Sequence, residues 1–461
     1  MQALLISTYD LGRQPFGLAS PAAWLRAAGW SVVCADLSKE RLDGAQVRGA
    51  DLIAFHLPMH TATRLAQPVI DQVRRANPRA LLCAFGLYAP LNADALRAQG
   101  VTEILGGEFE PALTAIAARL DGRVPERELP GEPTGAALPR IHFLVPDRSG
   151  LPPLSSYATL RAPDGRTRVV GYTEASRGCR HLCRHCPVVP IYNGQFRIVQ
   201  PEVVLADIAA QVAAGAGHIT FGDPDFLNGP AHAMRVVELL HAAHPEVTYD
   251  VTIKVEHLLR HRALLPRLRD TGCAFVTSAV ESLDDRVLVR LDKGHTRRDF
   301  FEAAAACRAH GVVLTPTFVA FHPWLTLQGY CDLLAAIAAL DLVDHVAPIQ
   351  LAIRLLIPNG SRLLELPEVR DLAGAFDTQT LTYRWTHADP RVDALQRDVA
   401  AIVGVRLAGG RREIFNEIGA LAHERAGLRF APVTGPDAPI PLLSEPWYCC
   451  AEPNPEQVRL L

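Results

Sequence analysis

An excess of charge of either sign is the first thing this chain lacks. Across 461 residues, 46 Lys and Arg stand against 49 Asp and Glu, a formal net charge of −3. Such a surface offers no cationic field, so neither nucleic acid nor a membrane is expected as a partner. Apolar runs long enough to span a bilayer are also missing. The start, Met1-Gln-Ala-Leu-Leu-Ile-Ser7, carries no basic segment ahead of its apolar residues and no cleavage pattern. It is expected to open a strand rather than a signal peptide, and the protein to be cytoplasmic. A further absence concerns cysteine. Cys179, Cys183 and Cys186 crowd one short loop, yet the next cysteine along the chain is Cys273.

What is present is ample material for a core: 49% of residues are hydrophobic and 21% charged. The length exceeds what one hydrophobic core organises, so two or three domains are expected. Ten cysteines in a chain of this type read as metal ligands, reactive thiols and small core residues rather than disulfides. Cys34, Cys83, Cys273, Cys307 and Cys331 lie in apolar or helical surroundings and are expected in the core.

The trio on Gly178-Cys-Arg-His-Leu-Cys-Arg-His-Cys-Pro187 is different. Thiolates are soft ligands for iron–sulfur clusters, zinc and Cu(I). Three in one loop can grip three corners of a [4Fe–4S] cubane and leave one iron open to an exogenous ligand. The competing reading is a zinc knuckle, with His181 or His185 as the fourth ligand.

Residues 1–121 alternate strand-like and helix-like runs, with strands at Ala3–Ile6, Ser31–Ala35, Asp51–Phe55, Ala80–Phe85 and Thr102–Leu105. This is an α/β pattern of the doubly wound, Rossmann-like kind. Its loops Ser7–Gly12 and Gly106–Glu110 fall at the carboxyl ends of strands, where such sheets bind ligands. Residues 122–166, rich in Pro, Gly and Arg, read as a linker lying across a surface. From 167 to 360, six strands alternate with helices: Arg168–Tyr172, His218–Phe221, Thr248–Thr252, Phe275–Ala279, Leu314–Phe321 and Val346–Leu356. That pattern predicts a partial (β/α)6 barrel of the TIM type, with function at the carboxyl ends of the strands. Residues 361–461 form a helical and irregular extension.

The strand ends carry Gly222-Asp223 and Asp225, Lys254, Ser278 and Glu281, on the face that also holds the three thiolates. Asp223 or Asp225 suits an ammonium group; Glu281, Ser278 or Lys254 suits a ribose or a carboxylate.

On these residues, 167–360 resemble the radical SAM superfamily, whose Cys-x3-Cys-x2-Cys motif is matched by Cys179, Cys183 and Cys186. The resemblance implies a [4Fe–4S] cluster whose open iron is chelated by S-adenosylmethionine (SAM). It also implies reductive carbon–sulfur cleavage and a reducing partner of flavodoxin or ferredoxin type. Gly222-Asp223 then matches the family's segment at the methionyl amine, and His185 stands where an aromatic residue is often found. Residues 1–121 resemble the cobalamin-binding domain that precedes many such enzymes, including Gly107, Glu108 and Glu110 of a Gly-Glu-x-Glu ending. The family's Asp-x-His-x-x-Gly motif is absent, since Asp10 is followed by Leu11-Gly12. Cobalamin would bind without that histidine, or not at all.

Near its end the chain carries Trp447-Tyr-Cys449-Cys450-Ala-Glu-Pro453. Two adjacent thiols can present two sulfurs to one thiophilic atom, or act as a redox or nucleophilic pair. The ending resembles the CUAEP/CCAEP-tail radical SAM proteins, and related enzymes occur in organoarsenical biosynthesis of the arsinothricin type. The resemblance implies catalytic roles for Cys449 and Cys450, holding trivalent arsenic for a SAM-derived 3-amino-3-carboxypropyl group. The rivals are a cobalamin-dependent methylase of a small metabolite and a metal- or metalloid-binding sensor without turnover.

Overall fold

The computed structural model describes residues 1–123, 138–405 and 410–445. The first sheet contains β1 (Gln2–Ser7), β2 (Ser31–Asp36), β3 (Leu52–His56), β4 (Leu81–Phe85) and β5 (Glu103–Leu105), in the order β2-β1-β3-β4-β5. All its pairings are parallel. Alternation along β1 explains why both faces are covered. Leu4 and Ile6 enter one apolar cluster with the helix His60–Ala76, whereas Ala3 and Leu5 enter another with the helices Phe16–Ala27 and Phe109–Leu120.

The second sheet is built from β6 (Thr159–Arg161), β7 (Thr167–Thr173), β10 (Ala216–Phe221), β11 (Thr248–Thr252), β12 (Cys273–Glu281) and β13 (Leu314–Phe318). Between β7 and β10, β8 (Ser176–Gly178) and β9 (Phe196–Ile198) form a small antiparallel pair that brackets the cysteine loop. β14 (Phe376–Asp377) and β15 (Thr382–Tyr383) make a short hairpin, and β16 (Leu442–Leu443) returns to the second sheet. The order is β13-β12-β11-β10-β7-β6-β16, parallel from β7 to β13 and curled as a half barrel. Its helices pack outside over the largest apolar cluster of the molecule.

Two expectations need correction. Val346–Leu356 does not form a sixth strand. It follows one 3-10 turn, Val343–His345, holds another, Pro348–Leu351, and touches the sheet through one bridge, Phe321 to Arg354. Pro348 removes a ladder donor, and the Gln350 side chain accepts from the Phe318 amide at 3.2 Å, meeting that need without a strand. The Pro-rich stretch before β7 is more than a surface linker: β6 pairs antiparallel with β7, and β16 with β6. Arg148 in the same stretch donates to Asp207 at 2.8 and 2.9 Å and to Gln14 at 2.9 Å, tying both units together.

Cys34, Cys83, Cys273, Cys307 and Cys331 are buried as expected, and the described cysteines form no disulfide. Among the described residues no helix is long and apolar enough to cross a membrane.

Candidate active site

The cysteine loop leaves the small strand β8 at Gly178, whose φ is +77°. A Cβ there would stand 2.3 Å from the Tyr192 ring and 2.5 Å from the Gln195 carbonyl oxygen, so only glycine allows the turn. Distant chain segments then fix the loop. Asn228 accepts from the Arg180 amide at 3.2 Å. The Arg184 amide donates to the Leu291 carbonyl at 2.9 Å, and Arg362 donates to the Leu182 carbonyl at 2.9 Å. Cys179 and Cys183 are buried and Cys186 half-buried.

Burial, helped by Asp225, pushes the Cys179 thiol up to about 11, so its thiolate form calls for a positive partner. The Lys254 ammonium stands 3.7 Å from Cys183 Sγ. Among the described residues, the three sulfurs are not a set of donors converging within 4.8 Å. A single zinc with bonds of about 2.3 Å to sulfur would need them closer than that. Neither histidine completes a zinc knuckle: His185 Nε2 lies 3.0 Å from Glu281, and His181 turns to Asp225 and Glu256. Three soft donors more widely spaced, on a rigid loop with a cation beside them, fit a cluster.

The other strand ends face the same space. Asp223 is buried and accepts from the Ser176 hydroxyl at 2.5 Å and the Ala175 amide at 2.9 Å. Burial nevertheless pushes its carboxyl up to about 7. Gly222 passes under the Tyr172 hydroxyl, which fills the place a Cβ would take. Glu281, at φ +69°, follows a bulge in β12. Burial raises its pKa, but Lys293 at 3.3 Å and then His185 at 3.0 Å outweigh it and hold the carboxyl down to about 2. Ser278 is not part of this wall. Alternation along β12 turns Thr277, Ala279 and Glu281 to the cavity and buries Ser278 elsewhere.

All three cysteines, Gly222, Asp223, Lys254 and Glu281 line one cavity of about 320 Å³. Its opposite wall comes from the first sheet: Asp10 and Leu11 after β1, His56 at the end of β3, Gly86 after β4 and Gly107 after β5. Burial pushes Asp10 up to about 7 and, followed by the Arg177 charge, drives His56 down to about 3, so its imidazole is neutral. The crevice thus lies at the strand ends of the first sheet, with a neutral imidazole in its wall.

Several functional residues escaped the sequence reading. Arg177, one residue before Gly178, crosses to the first unit and meets Glu108 and Glu110. His56 carried no motif, whereas Lys293 opens the Lys-Gly-His-Thr run after Glu281 that resembles the family's fourth-strand segment. Arg177 shows its role only in the structure, as a charged residue in a three-residue strand whose positions are all buried. Cys449 and Cys450 lie outside the described residues. The last described segment does reach the site. Pro441, Leu442 and Leu443 line the cavity, and the Glu445 side chain occupies the space over Gly12.

Residues 173–328 match the sequence model of the Radical SAM superfamily. They form a radical SAM domain, the catalytic unit of enzymes that use a [4Fe–4S] cluster and SAM. A tRNA-2-methylthio-N(6)-dimethylallyladenosine synthase from Desulfosudis oleivorans is 28% identical over 204 residues. That match covers 41% of each chain, so this protein spans under half the length of that relative. Two solved structures share the architecture at low identity. The cobalamin-dependent SAM radical enzyme OxsB with aqua-cobalamin bound aligns at TM-score 0.69 and 14% identity, over 92% of this chain and 71% of that one. The radical SAM methyltransferase TsrM from Kitasatospora setae, with tryptophan and aza-SAM bound, aligns at TM-score 0.64 and 19% identity, over 81% of this chain and 77% of that one. These are likenesses of fold.

Proposed function

We propose that this radical SAM enzyme transfers a SAM-derived carbon group to a small acceptor held in the cavity between its two α/β units. The observation that carries this reading is the shared wall. Cys179, Cys183 and Cys186 line the same space as the strand ends of the first unit. When loaded, the cluster supplies the electron that splits a carbon–sulfur bond of SAM. The protein's own part is placement. Asp223 offers a buried carboxylate to the methionyl ammonium, and the Lys254 charge offsets that of the thiolates. Burial of the cavity walls keeps water from the reacting atoms.

Two acceptors are supported by different observations. The neutral His56 wall and the strand-end crevice favour a corrinoid in the first unit, and hence methylation of a small metabolite. A bound cobalamin would supply the methyl carrier. The position of Glu445 over Gly12 favours the second reading. Cys449 follows four residues later in the sequence. On that reading Cys449 and Cys450 would hold trivalent arsenic for the 3-amino-3-carboxypropyl group.

The deciding experiment is anaerobic reconstitution with SAM and dithionite, with cobalamin or arsenite added separately, followed by mass spectrometry. A corrinoid spectrum with S-adenosylhomocysteine supports methylation. Methylthioadenosine with an arsenic-bearing amino acid supports the second acceptor. A reduced, cluster-loaded protein that leaves SAM intact under every condition would overturn the proposal and favour a metalloid sensor.

A further inference from the structure

Off the cavity, on the other side of the cysteine loop, three side chains from three segments converge. His181 sits between Cys179 and Cys183. Asp225 lies in the turn after β10, and His257 lies in the helix Val255–Arg260. One ligand atom from each falls within 4.8 Å of the other two. Asp225 Oδ2 is 2.7 Å from His257 Nδ1 and 3.5 Å from His181 Nε2. None of the three residues lines the SAM cavity.

The alignment is more telling than the distances. Asp225 is fully buried and His257 nearly so, and Asp225 Oδ2 is in ion-pair contact with both imidazoles, yet none of these contacts is aligned as a well-directed hydrogen bond. Buried ion-pairing groups usually align their hydrogen bonds, because that recovers more of the desolvation cost. A hydrogen bond aims its proton along the donor–acceptor line, whereas ligands aim their lone pairs at a point between them. Donors around a tetrahedral ion with bonds of about 2.0–2.1 Å stand about 3.3–3.4 Å apart. The observed separations lie on either side of that value.

The surroundings agree. Asp225 Oδ1 faces the Lys254 amide at 3.5 Å, which leaves Oδ2 for the shared point. His181 Nδ1 lies 3.6 Å from Glu256 Oε2, so a carboxylate stands behind the imidazole, as it commonly does behind metal-binding histidines. The His257 ring is flanked by His181 and His261, at centroid distances of 4.8 and 5.6 Å.

We propose that His181 Nε2, Asp225 Oδ2 and His257 Nδ1 bind one divalent transition-metal ion, zinc by the donor set, in a site separate from the three cysteines. Water takes the fourth position. Because His181 belongs to the cysteine loop, the ion fastens that loop to the ends of β10 and β11.

The test uses the full chain with its cluster rebuilt, equilibrated anaerobically with Zn(II) and freed of excess metal. The expected result is about one zinc per chain over unchanged iron, with nitrogen and oxygen neighbours alone at about 2.0–2.1 Å in zinc-edge X-ray absorption. Asp225→Asn and His257→Ala should each weaken zinc retention by about tenfold or more while iron content stays constant. Sulfur in the zinc shell would move the ion to the cysteines and overturn the proposal. So would a cluster-loaded wild-type protein that retains no zinc, or variants that retain it fully. If a variant loses its iron and fails to fold, the wild-type edge spectrum decides alone.

Discussion

Arg177 donates to both carboxylate oxygens of Glu110, through Nη2 at 2.7 Å and Nη1 at 2.9 Å. Glu110 begins the last helix of the first unit, and Arg177 precedes the cysteine loop of the second. The same guanidinium meets Glu108 at 3.1 Å and Glu174 at 2.7 Å and lies over the Phe109 and Phe143 rings. Burial pushes Glu108 and Glu174 up, against the pull of Arg177. The cluster of charges therefore depends on one cation.

Arg177→Ala should leave the buried Glu108 and Glu110 and the half-buried Glu174 without that cation and destabilise the protein by about 3–5 kcal/mol. Denaturant unfolding of the cluster-loaded chain measures this. An unfolding midpoint equal to that of the wild type would show that Arg177 is not the clamp.

Replacing Cys179, Cys183 or Cys186 singly with Ser should drop cluster iron to near background and leave far-ultraviolet circular dichroism unchanged, since the loop is also held by Asn228, Arg184 and Arg362. Full iron retention in any one variant would remove that cysteine from the ligand set.

The strand ends and the trio were legible because both are local: four or five apolar residues, a turn, and fixed spacing. What decided the rest was not local. Ser278 was read as a site residue from its place at the end of a strand, but side-chain alternation in β12 turns Thr277, Ala279 and Glu281 to the wall instead. The sixth strand failed at Pro348, where a satisfied Phe318 amide removed the reason for one. Arg177 and its carboxylates lie 67 and 69 positions apart in the chain, and no spacing rule links them.

The Asp223 carboxyl, at about 7, titrates well above its ordinary 3.8. The folded state thus binds a proton that the unfolded chain has released between about pH 4 and 7, and the Asp223 contribution to stability falls as pH rises through that window. SAM binding should run the other way, because an ammonium needs the ionised form. Affinity should rise as pH passes 7, and Asp223→Asn should flatten that rise and weaken binding by about tenfold to a hundredfold at pH 8. Calorimetric titration across pH checks both; parallel pH profiles for variant and wild type would count against the assignment.

Lys254→Met removes the positive charge 3.7 Å from Cys183 Sγ. The cluster potential should fall by on the order of tens of millivolts, since net charge near the sulfurs sets it. Redox titration followed by electron paramagnetic resonance reads the shift directly. An unchanged potential would make Lys254 a structural neighbour only.

The cavity wall is divided between two units that are separately cored, yet neither encloses the space by itself. A change of acceptor therefore calls for matched changes in both units. The strand ends of the first sheet, the cysteine loop of the second and the Arg177 contacts between them form one vessel, and chimaeras that exchange only one partner should assemble a misfitted vessel rather than a new specificity.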